Sequence, residues 1–203
     1  MDARANLDRH LRGSRRVDLA GVEWERVADH PLAPAEVRCL TYMMDIESHT
    51  MVFLGDVLAT RAVLDPEITA FLACWAYEEL WHGEALGRFL GQAGVTGTGW
   101  DDPYPSGVAR TAAIRDSVAF GARRRIGHLG SRMGSALIRD FAAVHMTWGA
   151  VNELSTLTAY RRLAATTSHP VLADLLRRIA RDERRHYSFY RAEAARRLAD
   201  SAA

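Results

Sequence analysis

Two stretches decide the fold: Trp75-Ala76-Tyr77-Glu78-Glu79-Leu80-Trp81-His82 and Ala180-Arg181-Asp182-Glu183-Arg184-Arg185-His186. Each contains Glu-x-x-His directly preceded by a second acid. Residues three apart share a helix face, so Glu79 with His82, and Glu183 with His186, each aim two ligand-type side chains at one point. The face of Glu79 otherwise carries Leu72, Trp75, Ala76, Gly83 and Leu86; that of Glu183 carries Leu176, Ile179, Ala180, Tyr187 and Tyr190. Burying an unpaired carboxylate on such a face is expensive, and metal coordination is one of the few ways to offset it. One Glu-x-x-His alone is more often a surface ion pair or a helix cap. Two copies on separate helices reverse those odds.

Outward from the two motifs the chain reads as helix after helix. Pro34 to Ala62 is the first long segment, with Leu40, Met43, Met44, Met51 and Leu54 at helical spacing. Pro66 is placed to open a second helix that runs to about Gln92 and stops at glycines. A Gly-, Pro- and Asp-rich loop follows from Val95 to Gly107, then a helical stretch to Gly130 that holds Arg123, Arg124 and Arg125. A third long helix is expected from about Arg132 to Thr166, and a fourth from Val171 to Ala199 after the break at His169-Pro170. Strand signals are nearly absent. The expected class is all-α: a ferritin-like four-helix bundle formed by one domain spanning 1–203, its core at about 34–199. An N-terminal arm covers 1–33, and a long crossover at 95–130 joins the second and third bundle helices.

A bundle with two Glu-x-x-His motifs needs one further Glu from each remaining helix to complete a two-metal site. The first helix offers Glu47, among Met43, Met44, Thr50, Met51 and Leu54. The third offers Glu153, among Met146, Gly149, Ala150, Leu157 and Tyr160. Each is the lone acid on its face. Four Glu and two His favour iron or manganese over zinc. Ligating imidazoles commonly give their second N–H to a carboxylate, and Asp182 and Glu78 are placed to reach the His of the opposite motif. The remaining histidines (His10, His30, His49, His128, His145 and His169) lack partner spacing and read as surface or packing residues.

Composition narrows the classes. The 203 residues carry Lys+Arg 26 against Asp+Glu 25, so no global basic field points to nucleic acid. All the basic residues are Arg. Cys39 and Cys74 cannot build a disulfide framework, and both fall in apolar helical segments where a Cys acts as a small hydrophobe. No signal peptide or apolar run long enough to span a membrane is visible, so a cytoplasmic location is expected.

The motifs resemble the soluble acyl-carrier-protein desaturases, a family of ferritin-like di-iron proteins. WAYEELWHGEALGRFL (Trp75–Leu90) resembles its E-E-x-x-H-G segment, and IARDERRHYSFY (Ile179–Tyr190) its A-x-D-E-x-R-H. VNELSTLTAY (Val151–Tyr160) resembles a segment in which the ligand Glu is followed three residues later by Thr; MMDIESHTMVFLGD (Met43–Asp56) matches in little beyond its Glu. The resemblance spans about 35–195. It implies two iron ions held by Glu47, Glu79, His82, Glu153, Glu183 and His186, with O2 as co-substrate. It places Thr156 at the oxygen-binding face, Asp182 behind a ligating His and on an electron route, and Trp24 loosely on such a route. The implied activity is desaturation of a fatty-acyl chain carried as an acyl-carrier-protein thioester, with a ferredoxin-like electron donor and a possible homodimer. Arg123–Arg125 would suit an acidic carrier. The chain is much shorter than the plant enzymes, lacking parts that shape the acyl channel. Di-iron oxygenation of another small molecule (hydroxylation, N-oxygenation or C–C cleavage) and iron storage or peroxide scavenging are the rival readings.

Overall fold

A computed structural model describes residues 3–95, 135, 138 and 140–202. Among them every regular element is a helix: α1 (Ala3–Gly13), α2 (Pro34–Leu58), α3 (Pro66–Gln92), α4 (Phe141–Thr166) and α5 (Pro170–Ala202), with short 3-10 helices at Trp24–Asp29 and Arg61–Leu64. The expected crossover, with Arg123–Arg125, lies outside the described residues except for Val95. Among the described residues no helix is long and apolar enough to cross a membrane.

Local chemistry sets the helix ends. Pro34 opens α2, and the Glu36 carboxylate reaches back to accept from Ala33 N at 2.9 Å. The helix ends at Leu58, earlier than the expected Ala62. The Thr60 hydroxyl donates to Val57 O at 2.6 Å and accepts from Ala62 N at 3.3 Å, which turns the chain into 3-10 geometry. Asp65 caps α3, accepting from Glu67 N at 2.9 Å and Ile68 N at 3.2 Å, and Asp140 caps α4 through Ala143 N at 3.0 Å. At the start of α5 the cap is an imidazole: His169 Nδ1 accepts from Leu172 N at 3.2 Å while its Nε2 meets Val27 O at 3.1 Å. His169 thus ties the N-terminal segment to the last helix, more than the surface or packing role its isolation suggests.

The helices associate in two close pairs, α2 with α3 and α4 with α5, and α1 packs across α3 and α5. Among the described residues no Cα of α2 comes within 8 Å of one in α4. The space between the pairs is held by side chains. One apolar cluster, with Leu40, Met44, Leu86, Phe89, Leu172 and Ile179, fills one end; a second, with Ile68, Phe71, Leu72, Met146 and Tyr190, fills the other. Burial of this kind stabilises by roughly 25 cal/mol per Å². Met51 and Cys39, expected on buried faces, are exposed. The α2 stripe is therefore narrower than its spacing suggests, because α2 buries its surface chiefly against α3 and leaves the flank towards α4 open.

Candidate metal centre

Between the two apolar clusters, α2 contributes Glu47, α3 contributes Glu79 and His82, α4 contributes Glu153, and α5 contributes Glu183 and His186; all six are buried. They form two overlapping groups, Glu47–Glu79–His82–Glu183 and Glu79–Glu153–Glu183–His186, whose ligand atoms lie within 4.8 Å of one another. Glu79 and Glu183 belong to both. Each group thus has one private carboxylate and one imidazole, with two carboxylates shared between them. His82 Nδ1 stands 2.9 Å from Glu183 Oε1 and 3.8 Å from both Glu47 Oε2 and Glu79 Oε2. His186 Nδ1 stands 2.8 Å from Glu79 Oε1, 3.6 Å from Glu153 Oε2 and 3.8 Å from Glu183 Oε2.

The chain matches no protein-family model, no curated protein and no solved structure. The reading of the site therefore rests on its own geometry.

The inward atoms fit cations. Glu79 Oε1, His82 Nδ1, Glu153 Oε2, both Glu183 oxygens and His186 Nδ1 are buried without a hydrogen-bond partner. Buried polar atoms are ordinarily satisfied, and here the unsatisfied ones converge from three helices. In the absence of a cation, burial and the neighbouring Glu79 and Glu183 charges push the Glu47 carboxyl well above the ordinary carboxylate range. Burial does the same to Glu153, helped by the same two charges against His186. Burial alone would depress His82, but Asp182 and Glu183 outweigh it and hold that imidazole well above its ordinary value. The cluster thus retains protons where four carboxylates crowd together. Two divalent cations would replace those protons and balance the four carboxylates with the imidazoles neutral. These buried groups can hold metal ions, and the oxygen-rich donor set is compatible with iron.

Further residues stand behind the inner six. His186 Nε2 lies 3.0 Å from Glu78 Oε2, and His82 Nε2 lies 3.5 Å from Asp182 Oδ2. Each motif's leading acid therefore stands behind the imidazole of the other motif, hydrogen-bonded for His186 and at charge-contact distance for His82, while each ring's Nδ1 is turned inward. Arg185, invisible as a site residue in the sequence, joins the two acids: its Nη2 donates to Glu78 Oε2 at 2.6 Å and to Asp182 Oδ1 at 2.9 Å, while Nη1 donates to Gly13 O at 3.0 Å. His10 of α1, read from the sequence as a surface or packing residue, is buried with its ring centroid 5.8 Å from that of His186 and Nε2 3.9 Å from Glu78 Oε1. Its only sequence signal was a His in a segment whose helix was not anticipated.

The private carboxylates are also held from outside. Trp75 Nε1–H donates to Glu153 Oε1 at 2.8 Å, and the Tyr160 hydroxyl donates to Glu47 Oε1. Gly83 has a packing reason: a Cβ there would lie 2.6 Å from Ser48 Oγ and 3.4 Å from Glu47 Cβ, so its absence lets α2 and α3 close together at the site.

On the α2–α4 side a groove of about 670 Å³ opens between the separated helices and ends on Glu47, Glu79, Glu153 and Glu183. Tyr42, Ile46 and Trp148 form exposed apolar parts of its rim. Thr156, half-buried, lies in this lining one turn beyond Glu153. Trp24 is elsewhere. It starts the 3-10 helix Trp24–Asp29 beneath the Arg88 guanidinium, 4.0 Å over its ring, and among the described residues makes no hydrogen bond or ring contact with the cluster.

Proposed function

We propose that this chain is a ferritin-like four-helix bundle, its helix pairs joined by a long crossover, and that it is an O2-dependent di-iron oxidase. Its substrate on this reading is a fatty-acyl chain carried as an acyl-carrier-protein thioester, from which it removes two hydrogens. The observation that carries the proposal is the doubled donor set with Glu79 and Glu183 common to both halves. A storage site needs no groove of small-molecule size beside it, and about 670 Å³ falls within the range of ligand pockets.

Bound in this donor set, two iron ions supply the redox chemistry for reducing O2 against an unactivated C–H bond. The overall balance is one –CH2–CH2– unit, O2, two electrons and two protons giving one –CH=CH– unit and two waters. The protein's part is positioning. Glu78 holds the His186 imidazole by its outer nitrogen and Asp182 stands behind that of His82, Trp75 and Tyr160 fix the private carboxylates, and the apolar clusters above and below exclude water. Thr156 lines the open groove, where on this reading its hydroxyl would hold a proton beside the reacting carbon. Asn152 and Ser155 also line the groove and suit a substrate with a polar group. This favours, as the second reading, oxygenation of a different small molecule at the same site.

The test is metal content and optical spectrum after anaerobic Fe(II) loading and admission of O2, followed by product analysis with acyl thioesters. The expected result is about two irons per chain, with O2 consumption lost in Glu183→Ala. Unchanged iron content in that variant would remove the centre. A loaded protein that consumes O2 yet leaves every acyl thioester intact moves the conclusion to the second reading.

A further inference from the structure

The arginines of α5 divide into two sets. Arg178 holds Asp174 at 2.8 Å, Arg185 holds Glu78 and Asp182, and Arg196 and Arg197 hold Glu193. Arg177, Arg181, Arg184 and Arg191 are exposed, and none makes an ion pair among the described residues. Their spacings of four, three and seven residues put them on one helix face, a stripe roughly 20 Å long at 1.5 Å per residue. On α4, Arg161 and Arg162 are likewise exposed and unpaired. Between the two helices runs a groove of about 390 Å³, lined by Arg161, Arg177, Arg181 and Arg184 over an alanine floor, with no acid in its lining.

A helix that neutralises every arginine on one side and none on the other presents a local anion-binding face. The whole chain has a formal charge of only +1, so this face is a patch and not part of a general basic field. Its location decides what kind of anionic partner it suits. Arg181 and Arg184 bracket Asp182 and Glu183, and Arg161 follows Tyr160, whose hydroxyl binds Glu47. The centre therefore lies behind this face, roughly 10 Å away through one helix thickness. The α4–α5 seam is closely packed, whereas the groove leading to the carboxylates opens on the α2–α4 side. A substrate cannot pass through the seam. An electron can.

We propose that the arginine face of α4 and α5 docks an acidic one-electron carrier protein, which delivers the two electrons per turnover that the proposed oxidation consumes, becoming oxidised itself in two successive encounters. The inference rests on the di-iron reading and adds the place and the charge of the partner. It differs from the sequence-based expectation that Arg123–Arg125 receive an acidic carrier of substrate.

The test uses the iron-loaded full chain and an acidic [2Fe–2S] ferredoxin as the probe. Binding is followed by calorimetry at low and high salt, and anaerobic reduction of the oxidised centre by stopped flow, with dithionite as the small reductant. Neutralising the face with R177Q/R181Q/R184Q should weaken binding and slow reduction by ferredoxin at least tenfold, and flatten the salt dependence, while dithionite reduces both proteins equally. A control removing the same charge elsewhere, R12Q/R15Q/R38Q, should match wild type. Equal binding and reduction by the triple variant and wild type, or no ferredoxin complex with wild type, overturns the proposal. So does binding of inorganic pyrophosphate or acyl carrier protein that R177Q/R181Q/R184Q abolishes while ferredoxin is unaffected. If iron does not load, or dithionite leaves the spectrum unchanged, the di-iron reading fails; calorimetry still judges the docking face on its own.

Discussion

Replacing Gly149 by Ala sets two known effects against each other, and the structure decides the sign. In a helix interior Ala is favoured over Gly by about 1 kcal/mol, so α4 alone would gain. A Cβ at position 149, however, would lie 2.2 Å from Tyr190 Cε1, 2.3 Å from Cδ1 and 2.8 Å from Cζ. Relief to ordinary van der Waals contact needs a shift of more than about 1 Å. The Tyr190 ring has nowhere to go: it is buried, edge-on to Phe71 at 4.8 Å and to Trp75 at 5.7 Å, with His145 at 6.2 Å. Overpacking costs about 1–3 kcal/mol, and a rigid ring boxed in by other rings belongs at the upper end. The net expectation is a loss of about 1–2 kcal/mol. At roughly 2–4 °C per kcal/mol for a chain of this size, Tm should fall by about 2–8 °C. The assay is thermal unfolding followed by circular dichroism in excess chelator, which removes any contribution from bound metal. Because Trp75 holds Glu153, the displaced ring should also weaken iron binding at the Glu153–His186 end. An unchanged or raised Tm, as propensity alone requires, would refute the packing argument.

Other perturbations probe the surroundings of the centre. Arg185→Leu leaves Glu78 and Asp182 without their shared cation, so iron affinity by chelator competition should drop about 10–100-fold; unaltered affinity would make Arg185 a mere surface ion pair. His145, buried and driven down to about 4 by that burial, stays neutral in the folded chain where the unfolded chain takes a proton. Its folded value lies below the ordinary 6.5, so stability is complete above 6.5 and is lost as pH falls towards 4. His145→Phe should recover about 3 kcal/mol of the loss between pH 7 and 4 in urea unfolding of metal-free protein; an identical pH profile would contradict this. Thr156→Val should keep its iron but slow substrate oxidation or divert O2 to peroxide, read as a changed ratio of product to O2; a wild-type ratio returns Thr156 to packing.

The metal-binding logic was legible in the sequence because helix periodicity is rigid. A Glu and a His three residues apart on an apolar face must point the same way, and the lone acids Glu47 and Glu153 stand out on their faces without any knowledge of packing. The all-helical class, the Pro66 start and the Gln92 end of α3, and the pairing of each leading acid with the opposite motif follow from the same regularity. Contacts between distant segments leave no such periodic trace. Nothing in the sequence tells Arg185 from Arg184, yet one ties Glu78 to Asp182 and the other faces solvent, because a 100° step round α5 separates the α3 side from the outside. Likewise Trp75, Tyr160, His10 and His169 gain their roles only when helices far apart in the chain meet. The sequence alone determined which side chains would be costly to bury; the tertiary structure decided which of them face one another, where the helix pairs part to open a groove, and which arginines remain without an acid. Those outcomes depend on the distance and rotation between packed helices, and these are set by the summed shape of many side chains, not by the spacing within any one helix.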